Sequence, residues 1–185
     1  MNPNPQKPWP GDLRQPPGPG GVNHPVVLIV DDHDDTREML KTLLGMVGCH
    51  AIEAEDGERA LDAAENVHPD LILLDMKMPR LDGLTVTRLI RSHPNLHEVP
   101  IVAVTGNAAP QFQAEALRAG CNCCLVKPID FDRLEELIQM LTRSAPPPVL
   151  RTRYSLAVRS RGAMCPYHFD RTKGMSGYGF GYTSK

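Results

Sequence analysis

The sequence lacks any long hydrophobic stretch. Its apolar runs, such as Val26 to Val30 and Leu71 to Leu74, are far shorter than the roughly 20 residues that a membrane-spanning helix needs. The N-terminus, Met-Asn-Pro-Asn-Pro, has neither the basic start nor the apolar core of a secretory signal. We therefore expect a cytoplasmic protein that has no membrane partner.

The sequence also lacks a plausible disulfide framework. It has five cysteines, an odd number, and three of them (Cys121, Cys123 and Cys124) fall within four residues. Cys121 and Cys124 form a C-x-x-C, which is compatible with a redox pair or with half of a zinc site. No second such pair and no His pair follows it along the chain, so packing in or beside a strand is the favoured interpretation.

Both ends of the chain lack hydrophobic periodicity. Residues 1–24 are crowded with Pro and Gly and cannot bury enough surface to offset the entropy of ordering, which predicts a disordered leader. Residues 145–185 begin with Ala-Pro-Pro-Pro, which ends the preceding helix, and have seven Lys or Arg against Asp170, which predicts a basic, disordered tail. The tail could bind nucleic acid or an acidic partner, but a solvated tail is favoured. No DNA-binding domain is visible on this chain.

Residues 25–144 alternate short aliphatic runs with stretches of helical period, which predicts β/α units around a parallel sheet. The predicted strands are Val26 to Val30, His50 to Ala54, Leu71 to Leu74, Ile101 to Val104 and Cys124 to Val126. The first predicted helix has Met39, Leu40, Leu43, Leu44 and Val47 on one stripe. The next three are Glu58 to Val67, Leu84 to Ile90 and Ala108 to Ala119. Asp130 can cap a last helix whose Phe131, Leu134, Leu137, Ile138 and Leu141 face the sheet.

Polar residues follow four of the five predicted strands. They are Asp31 and Asp32, then Asp75, then Thr105, and finally Lys127. The carboxyl ends of parallel strands meet at one edge of a sheet, so we expect these side chains to lie together. Asp31 or Thr105 alone would more simply cap the following helix, but five coincident positions favour a site.

Three carboxylates in one crevice repel each other unless a cation is present. Oxygen ligands favour Mg²⁺ over Zn²⁺, which prefers His or Cys. Mg²⁺ and Lys127 together would balance the three negative charges. One carboxylate can then attack phosphorus while the metal, Lys127 and the Thr105 hydroxyl stabilise charge on the phosphoryl oxygens.

At these residues, over about positions 25–144, the chain resembles the receiver domain of two-component response regulators. The resemblance rests on Asp31-Asp32, on Leu-Leu-Asp75-Met-Lys-Met-Pro79-Arg-Leu-Asp-Gly83, on Val-Thr105-Gly-Asn and on Val-Lys127-Pro128. It implies an α/β doubly wound, flavodoxin-like (βα)5 fold with a five-stranded parallel sheet of order 2-1-3-4-5.

The resemblance also implies a role for each matched residue. Asp75 would be the phosphoryl acceptor, and Thr105 and Lys127 would contact the phosphoryl group. Asp32, Asp75 and the Lys77 backbone carbonyl would bind Mg²⁺, with Asp31 acting through a metal-bound water. The Lys127–Pro128 bond would be cis, while Pro79 and Gly83 would shape the loop that supports Asp75.

The expected partners are a histidine kinase or a histidine phosphotransfer protein, and then a downstream protein or a second copy bound through the face of helix 4, strand 5 and helix 5. Such a module is not an enzyme in the usual sense, because it catalyses only its own phosphorylation and dephosphorylation. One departure concerns Cys124, which stands where receivers often have a switch Tyr or Phe. The readout of phosphorylation could therefore differ.

Two other functions stay open. One is an Asp-nucleophile, Mg²⁺-dependent phosphatase of the haloacid-dehalogenase type. Such enzymes have an Asp-x-Asp motif at the nucleophile, but this chain has Lys77 where the second Asp would be. A receiver-like scaffold that binds partners without phosphorylation is the other alternative, and the complete set of Asp31, Asp32, Asp75, Thr105 and Lys127 argues against it.

Overall fold

The computed structural model of this protein describes residues 24–142. The expected leader (residues 1–24, apart from His24) and the expected basic tail (residues 145–185) lie outside the described residues. The proposed domain limits, 25 and 144, therefore remain predictions.

Five strands and five helices alternate along the described part of the chain. They are β1 (Val26–Val30), α1 (Asp34–Met46), β2 (His50–Ala54), α2 (Gly57–Val67), β3 (Leu71–Asp75), α3 (Gly83–Ser92), β4 (Ile101–Thr105), α4 (Pro110–Ala119), β5 (Cys123–Val126) and α5 (Phe131–Leu141).

All the strands pair in parallel, in the order β2-β1-β3-β4-β5, which confirms the predicted sheet. Because β1 lies between β2 and β3, the chain reverses its direction of travel across the sheet at the β1–β3 boundary. In open α/β sheets a crevice opens at such a point, beyond the carboxyl ends of the strands.

The helices form two layers, one on each face of the sheet. Alternate strand residues point to opposite faces, so that Val27 and Ile29 pack with α1 and α5 while Leu28 and Val30 pack with α2, α3 and α4. On the second face α2 contributes three fully buried alanines, Ala60, Ala63 and Ala64, whose small side chains let the helix lie close to the sheet. Strands buried on both faces explain the nearly continuous apolar runs in the sequence.

Acidic caps begin three of the helices. The side chains of Asp56, Asp82 and Asp130 accept hydrogen bonds from the third backbone amide of α2, α3 and α5 respectively, which satisfies donors that have no partner inside the helix. The predicted cap at Asp130 is confirmed.

The structure corrects several predicted boundaries. Asp75 and Thr105 are the last residues of β3 and β4, not the residues after them. Helix α4 begins at Pro110 and not at Ala108, because a residue before proline disfavours helical backbone. Met39, on the predicted helical stripe, is 44% exposed. None of the helices within residues 24–142 has the length and hydrophobicity to cross a membrane.

Candidate functional site

Lys127 joins two of the predicted site carboxylates at the carboxyl edge of the sheet. Its Nζ lies 2.7 Å from Asp31 Oδ2 and 2.7 Å from Asp75 Oδ2. These residues follow or end three different strands, β1, β3 and β5. Both carboxylates are almost completely buried and the ammonium is partly buried, so water screens their interaction far less than it would at the surface.

Backbone amides hold the other oxygen of each carboxylate. Asp75 Oδ1 accepts a hydrogen bond from the Lys77 N–H at 2.9 Å, and Asp31 Oδ1 accepts one from the His33 N–H at 2.9 Å. The residue that precedes α1 is His33, and its side chain makes no capping hydrogen bond. The simpler interpretation of Asp31 as a helix cap is therefore excluded, and its carboxylate faces the site instead.

The two carboxylates respond differently to this environment. Burial raises the pKa of Asp75 above its ordinary value, and the nearby Asp31 charge adds to the rise. Burial acts in the same direction on Asp31, but hydrogen bonds from Lys127 and from the His33 amide outweigh it and hold the Asp31 pKa below its ordinary value. Burial also opposes the charged form of Lys127, yet its hydrogen bonds to Asp31 and Asp75 raise the Lys127 pKa.

Asp32 completes an oxygen-rich cluster. Ligand atoms of Asp31, Asp32, His33 and Asp75 all lie within 4.8 Å of one another. Among the described residues, no donor forms a hydrogen bond to the buried Asp32 Oδ1, although His33 Nδ1 lies 2.9 Å away without the necessary alignment. A buried anionic oxygen without a hydrogen bond is costly. The donor set therefore fits a hard divalent cation such as Mg²⁺.

Thr105 ends β4 beside this cluster and is buried. Its hydroxyl oxygen accepts the Asn107 N–H at 3.1 Å, so it does not cap α4, whose preceding residue is Ala109. The Asn107 side chain in turn accepts the Ala109 N–H at 2.9 Å. Asn107 belongs to the Val-Thr105-Gly-Asn segment, but its turn-forming role was not predicted, although an Asn side chain that bonds to nearby backbone is a recognisable turn signal.

The loop between β3 and α3 is tightly constrained, as predicted from Pro79 and Gly83. The Pro79 carbonyl accepts the Leu81 N–H at 2.8 Å. A Cβ atom at Gly83 would lie only 2.8 Å from Met76 Cα, so a larger residue cannot occupy this position without displacement of the loop.

The remaining predicted residues lie along β5 and just after it. The Lys127–Pro128 peptide bond is cis, as the resemblance implied. Cys124 is partly buried on the α4 side of the sheet, with its thiol 3.9 Å from the Gln113 carbonyl. Cys123 is buried on the opposite face, which agrees with a packing role for both thiols.

An ion pair that the sequence reasoning missed lies at the rim of the site. Arg80, in the loop after β3, contacts the carboxylate of Asp56, the residue that caps α2. The Asp-Gly before a helical period signals the cap, but no sequence pattern indicates that Arg80 reaches it.

Comparison with known sequences identifies the family. The sequence profile of the response regulator receiver domain matches residues 27–139. The chain is similar to the regulatory protein AtoC of Escherichia coli, with 36% identity over 113 residues, 61% of this chain and 24% of AtoC. It is also 34% identical to the polar-differentiation response regulator DivK of Brucella ovis, over 61% of this chain and 92% of DivK. The chain thus spans only a minor part of AtoC but nearly all of DivK.

Solved structures give the same result. The receiver domain of a sensor histidine kinase from Pseudomonas aeruginosa, with a magnesium ion coordinated in its active-site cleft, aligns with a TM-score of 0.61 and 33% identity over 65% of this chain and 99% of that one. A chemotaxis protein of Vibrio cholerae aligns with a TM-score of 0.61 and 29% identity over 64% of this chain and 98% of that one. The protein described here belongs to the response regulator receiver domain family of two-component systems.

Proposed function

We propose that this chain is a phosphoryl-accepting receiver module that takes a phosphoryl group on Asp75 in the presence of Mg²⁺ and alters its protein contacts in response. The observation that carries the proposal is the position of Lys127, whose ammonium bridges Asp31 and Asp75 beside a buried Asp32 oxygen that has no hydrogen bond within residues 24–142. A nucleophile, a counter-charge and an anionic oxygen suited to a metal ion thus lie in one crevice.

The residues of the chain divide the work of phosphoryl transfer. An Asp75 carboxylate oxygen forms a bond to phosphorus while the phosphorus–nitrogen bond of a phosphohistidine donor breaks, and the imidazole leaves with the bonding electron pair. The Lys77 amide and the Lys127 ammonium orient the carboxylate before the attack. Lys127 and the Thr105 hydroxyl then stabilise negative charge on the transferred group.

Asp32, Asp75 and the Lys77 backbone carbonyl would hold Mg²⁺, with Asp31 acting through a bound water. When bound, the ion supplies positive charge that neutralises the clustered carboxylates and the phosphoryl oxygens. Without it, Lys127 and the backbone amides of His33 and Lys77 offset the Asp31–Asp75 repulsion.

The same proposal covers the partners. The donor is a histidine kinase or a histidine phosphotransfer protein, and the output is a downstream protein or a second copy of the chain that docks on the face formed by α4, β5 and α5. Phe112, on α4, is 48% exposed and is an apolar side chain available for contact on that helix. The chain acts in the cytoplasm and catalyses only its own phosphorylation and dephosphorylation.

Labelling with a small acyl phosphate tests this function. The full chain with Mg²⁺ should gain one phosphoryl group that is stable in acid and labile in base, as detected by intact-protein mass spectrometry. Asp75→Asn keeps the shape of the side chain but removes the nucleophile, so it should not be labelled. Labelling of Asp75→Asn to the same stoichiometry would refute the assignment.

The two alternatives predict different results. A phosphatase would release phosphate from an ester in steady state, whereas a receiver should turn over only its own aspartyl phosphate. A phosphorylation-independent scaffold would bind its partners with the same affinity before and after labelling. Lys77 occupies the position where a haloacid-dehalogenase enzyme would have its second Asp, so no carboxylate is available there as an acid or base. The Lys77 backbone amide instead donates a hydrogen bond to Asp75.

A further inference from the structure

We propose that Arg80 is a positioning residue for the metal site, because its guanidinium ties the loop after β3 to the first residues of α2. This loop, residues 76–82, is called the β3–α3 loop below. The inference rests on the proposed function, since it concerns how the Asp75 and Lys77 ligands are held for Mg²⁺.

The β3–α3 loop contains a tight turn centred on Arg80. Arg80 has a φ of 66°, and the Leu81 N–H donates to the Pro79 carbonyl at 2.8 Å, so the three residues form a γ-turn with a positive central angle. This turn is rare, and a left-handed backbone costs a non-glycine residue about 1–2 kcal/mol. Interactions elsewhere must hold Arg80 in this conformation.

The Arg80 side chain supplies one such interaction. Its Nη2 lies 2.5 Å from Asp56 Oδ2, and the Asp56 side chain is only 10% exposed. The other Asp56 oxygen accepts the Arg59 N–H at 2.8 Å as the cap of α2. The capping hydrogen bond thus fixes the position of the Asp56 carboxylate independently of Arg80, and the carboxylate can in turn hold the Arg80 guanidinium in place.

A second contact joins the same two segments. Leu81, the residue after the turn, packs over Gly57, the first residue of α2: a Cβ atom at Gly57 would lie 2.8 Å from Leu81 Cδ2. The turn is therefore attached to the start of α2 by a charged contact at Arg80 and by an apolar contact at Leu81.

Lys77 lies in the short segment between these attachments and the end of β3. Its amide donates to Asp75 Oδ1, and its carbonyl is a proposed Mg²⁺ ligand. With β3 fixed on one side and the γ-turn fixed on the other, this segment has little freedom. If the Arg80–Asp56 contact is lost, the segment gains freedom and the ligand oxygens are less well placed for a metal that demands near-ideal geometry.

The proposal predicts that loss of the Arg80 side chain weakens Mg²⁺ binding, whereas electrostatics alone predicts that it strengthens Mg²⁺ binding, so the two can be distinguished by experiment. Arg80 is a cation near a cation site, so removal of its charge should strengthen Mg²⁺ binding if only Coulomb forces act. Arg80→Gly also relieves the positive φ. We expect this variant to keep its free energy of unfolding but to bind Mg²⁺ about 10-fold more weakly, at the lower end of the effect found when a group that orients a ligand is removed.

The experiment measures Mg²⁺ affinity by isothermal titration calorimetry and unfolding by urea, on the full chain at constant ionic strength. Arg80→Lys should recover part of the affinity, because an ammonium can still contact Asp56. Arg88→Gln, at an exposed position on α3, is the control for loss of a distant charge, because Gln and Arg have similar helix propensities. Unchanged or tighter binding by Arg80→Gly would overturn the proposal.

Asp56→Asn tests the other half of the contact, since Asn keeps an oxygen that can cap α2. The double variant Arg80→Gly/Asp56→Asn should bind Mg²⁺ no more weakly than the weaker single variant, whereas strictly additive losses would show that the two residues act separately. Amide hydrogen exchange at Lys77 and Leu81, without metal, should be faster in Arg80→Gly, and unchanged exchange would also overturn the proposal. Failure of the wild-type chain to bind Mg²⁺ would refute the proposed function instead.

Discussion

Gly83 lies directly against the backbone of Asp75, so that a Cβ atom at position 83 would overlap the Asp75 carbonyl oxygen. This close approach brings the start of α3 under the end of β3. Gly83→Ala must displace one of the two segments, because the obstructing atoms belong to the backbone. We expect a loss of about 1–3 kcal/mol in the free energy of unfolding, measured by urea denaturation.

Gly45→Ala is the matched control for this substitution. Gly45 lies within α1, and a Cβ there would meet no atom within 4 Å. Replacing it should therefore stabilise the protein by up to about 1 kcal/mol, the difference in helix propensity between Gly and Ala. Equal effects of the two substitutions would contradict the assigned close contact at Gly83.

Asp32 should dominate Mg²⁺ affinity. Its Oδ1 is buried and accepts no hydrogen bond among the described residues, so Asp32→Ala removes an oxygen that a cation would otherwise satisfy. We expect a weakening on the order of 10-fold or more in calorimetric titration. Asp35→Ala removes an exposed carboxylate from the first turn of α1 and should have little effect. Wild-type affinity in Asp32→Ala would exclude Asp32 as a ligand.

Cys49 should make the stability depend on alkaline pH. Burial, with a smaller contribution from the Asp70 charge, raises the pKa of the Cys49 thiol to about 11. An unfolded chain loses this proton at its ordinary pKa of about 8.5, so above that pH the unfolded state binds fewer protons than the folded state. Stability from this group is therefore complete below about pH 8.5 and falls as the pH rises towards 11.

The measurement compares urea unfolding at pH 8 and pH 10 in the wild type and in Cys49→Ala. Other groups titrate in this range, but they are shared by both proteins. The wild type should lose more stability than the variant between the two pH values. An identical loss of stability in the two proteins would show that folding does not raise the pKa of the Cys49 thiol.

Cys124 should weaken the coupling between phosphorylation and the α4–β5–α5 face. Its thiol lies beside the Gln113 carbonyl of α4 and is much smaller than the aromatic ring that receivers often have there. Cys124→Tyr should leave the labelling of Asp75 nearly unchanged but enlarge the change in self-affinity or partner affinity caused by a phosphoryl analogue. A wild-type change already beyond about 100-fold, near the top of the usual coupling range, would contradict this idea.

Most of the site could be predicted because it depends on chain order. Asp31, Asp75 and Lys127 follow or end apolar runs, and parallel strands must place their carboxyl ends at one edge. The structure confirms the strand order and shows the Lys127 contacts with both carboxylates. The functional roles of these residues remain predictions.

The contacts that could not be predicted are those made by long side chains to segments that are distant in sequence. Arg91, on α3, donates hydrogen bonds to the carbonyls of Gly120, His97 and Val99 and to the Asn122 side chain. It thereby joins loops that are distant in sequence, at the opposite edge of the sheet from the site. Neither this cluster nor the Arg80–Asp56 pair follows from periodicity or from local propensity, because each requires the final arrangement of the loops.

The ammonium of Lys127 is separated by 96 residues in sequence from Asp31 and by 52 from Asp75. No fragment of the domain that omits either end can therefore assemble the crevice, and the site exists only when β1, β3 and β5 are all in place. A ligand that binds there selects the completely folded chain and stabilises it by mass action. Metal or phosphoryl binding thus requires the whole domain to be folded, and partial unfolding at either end of the domain would abolish phosphorylation of Asp75.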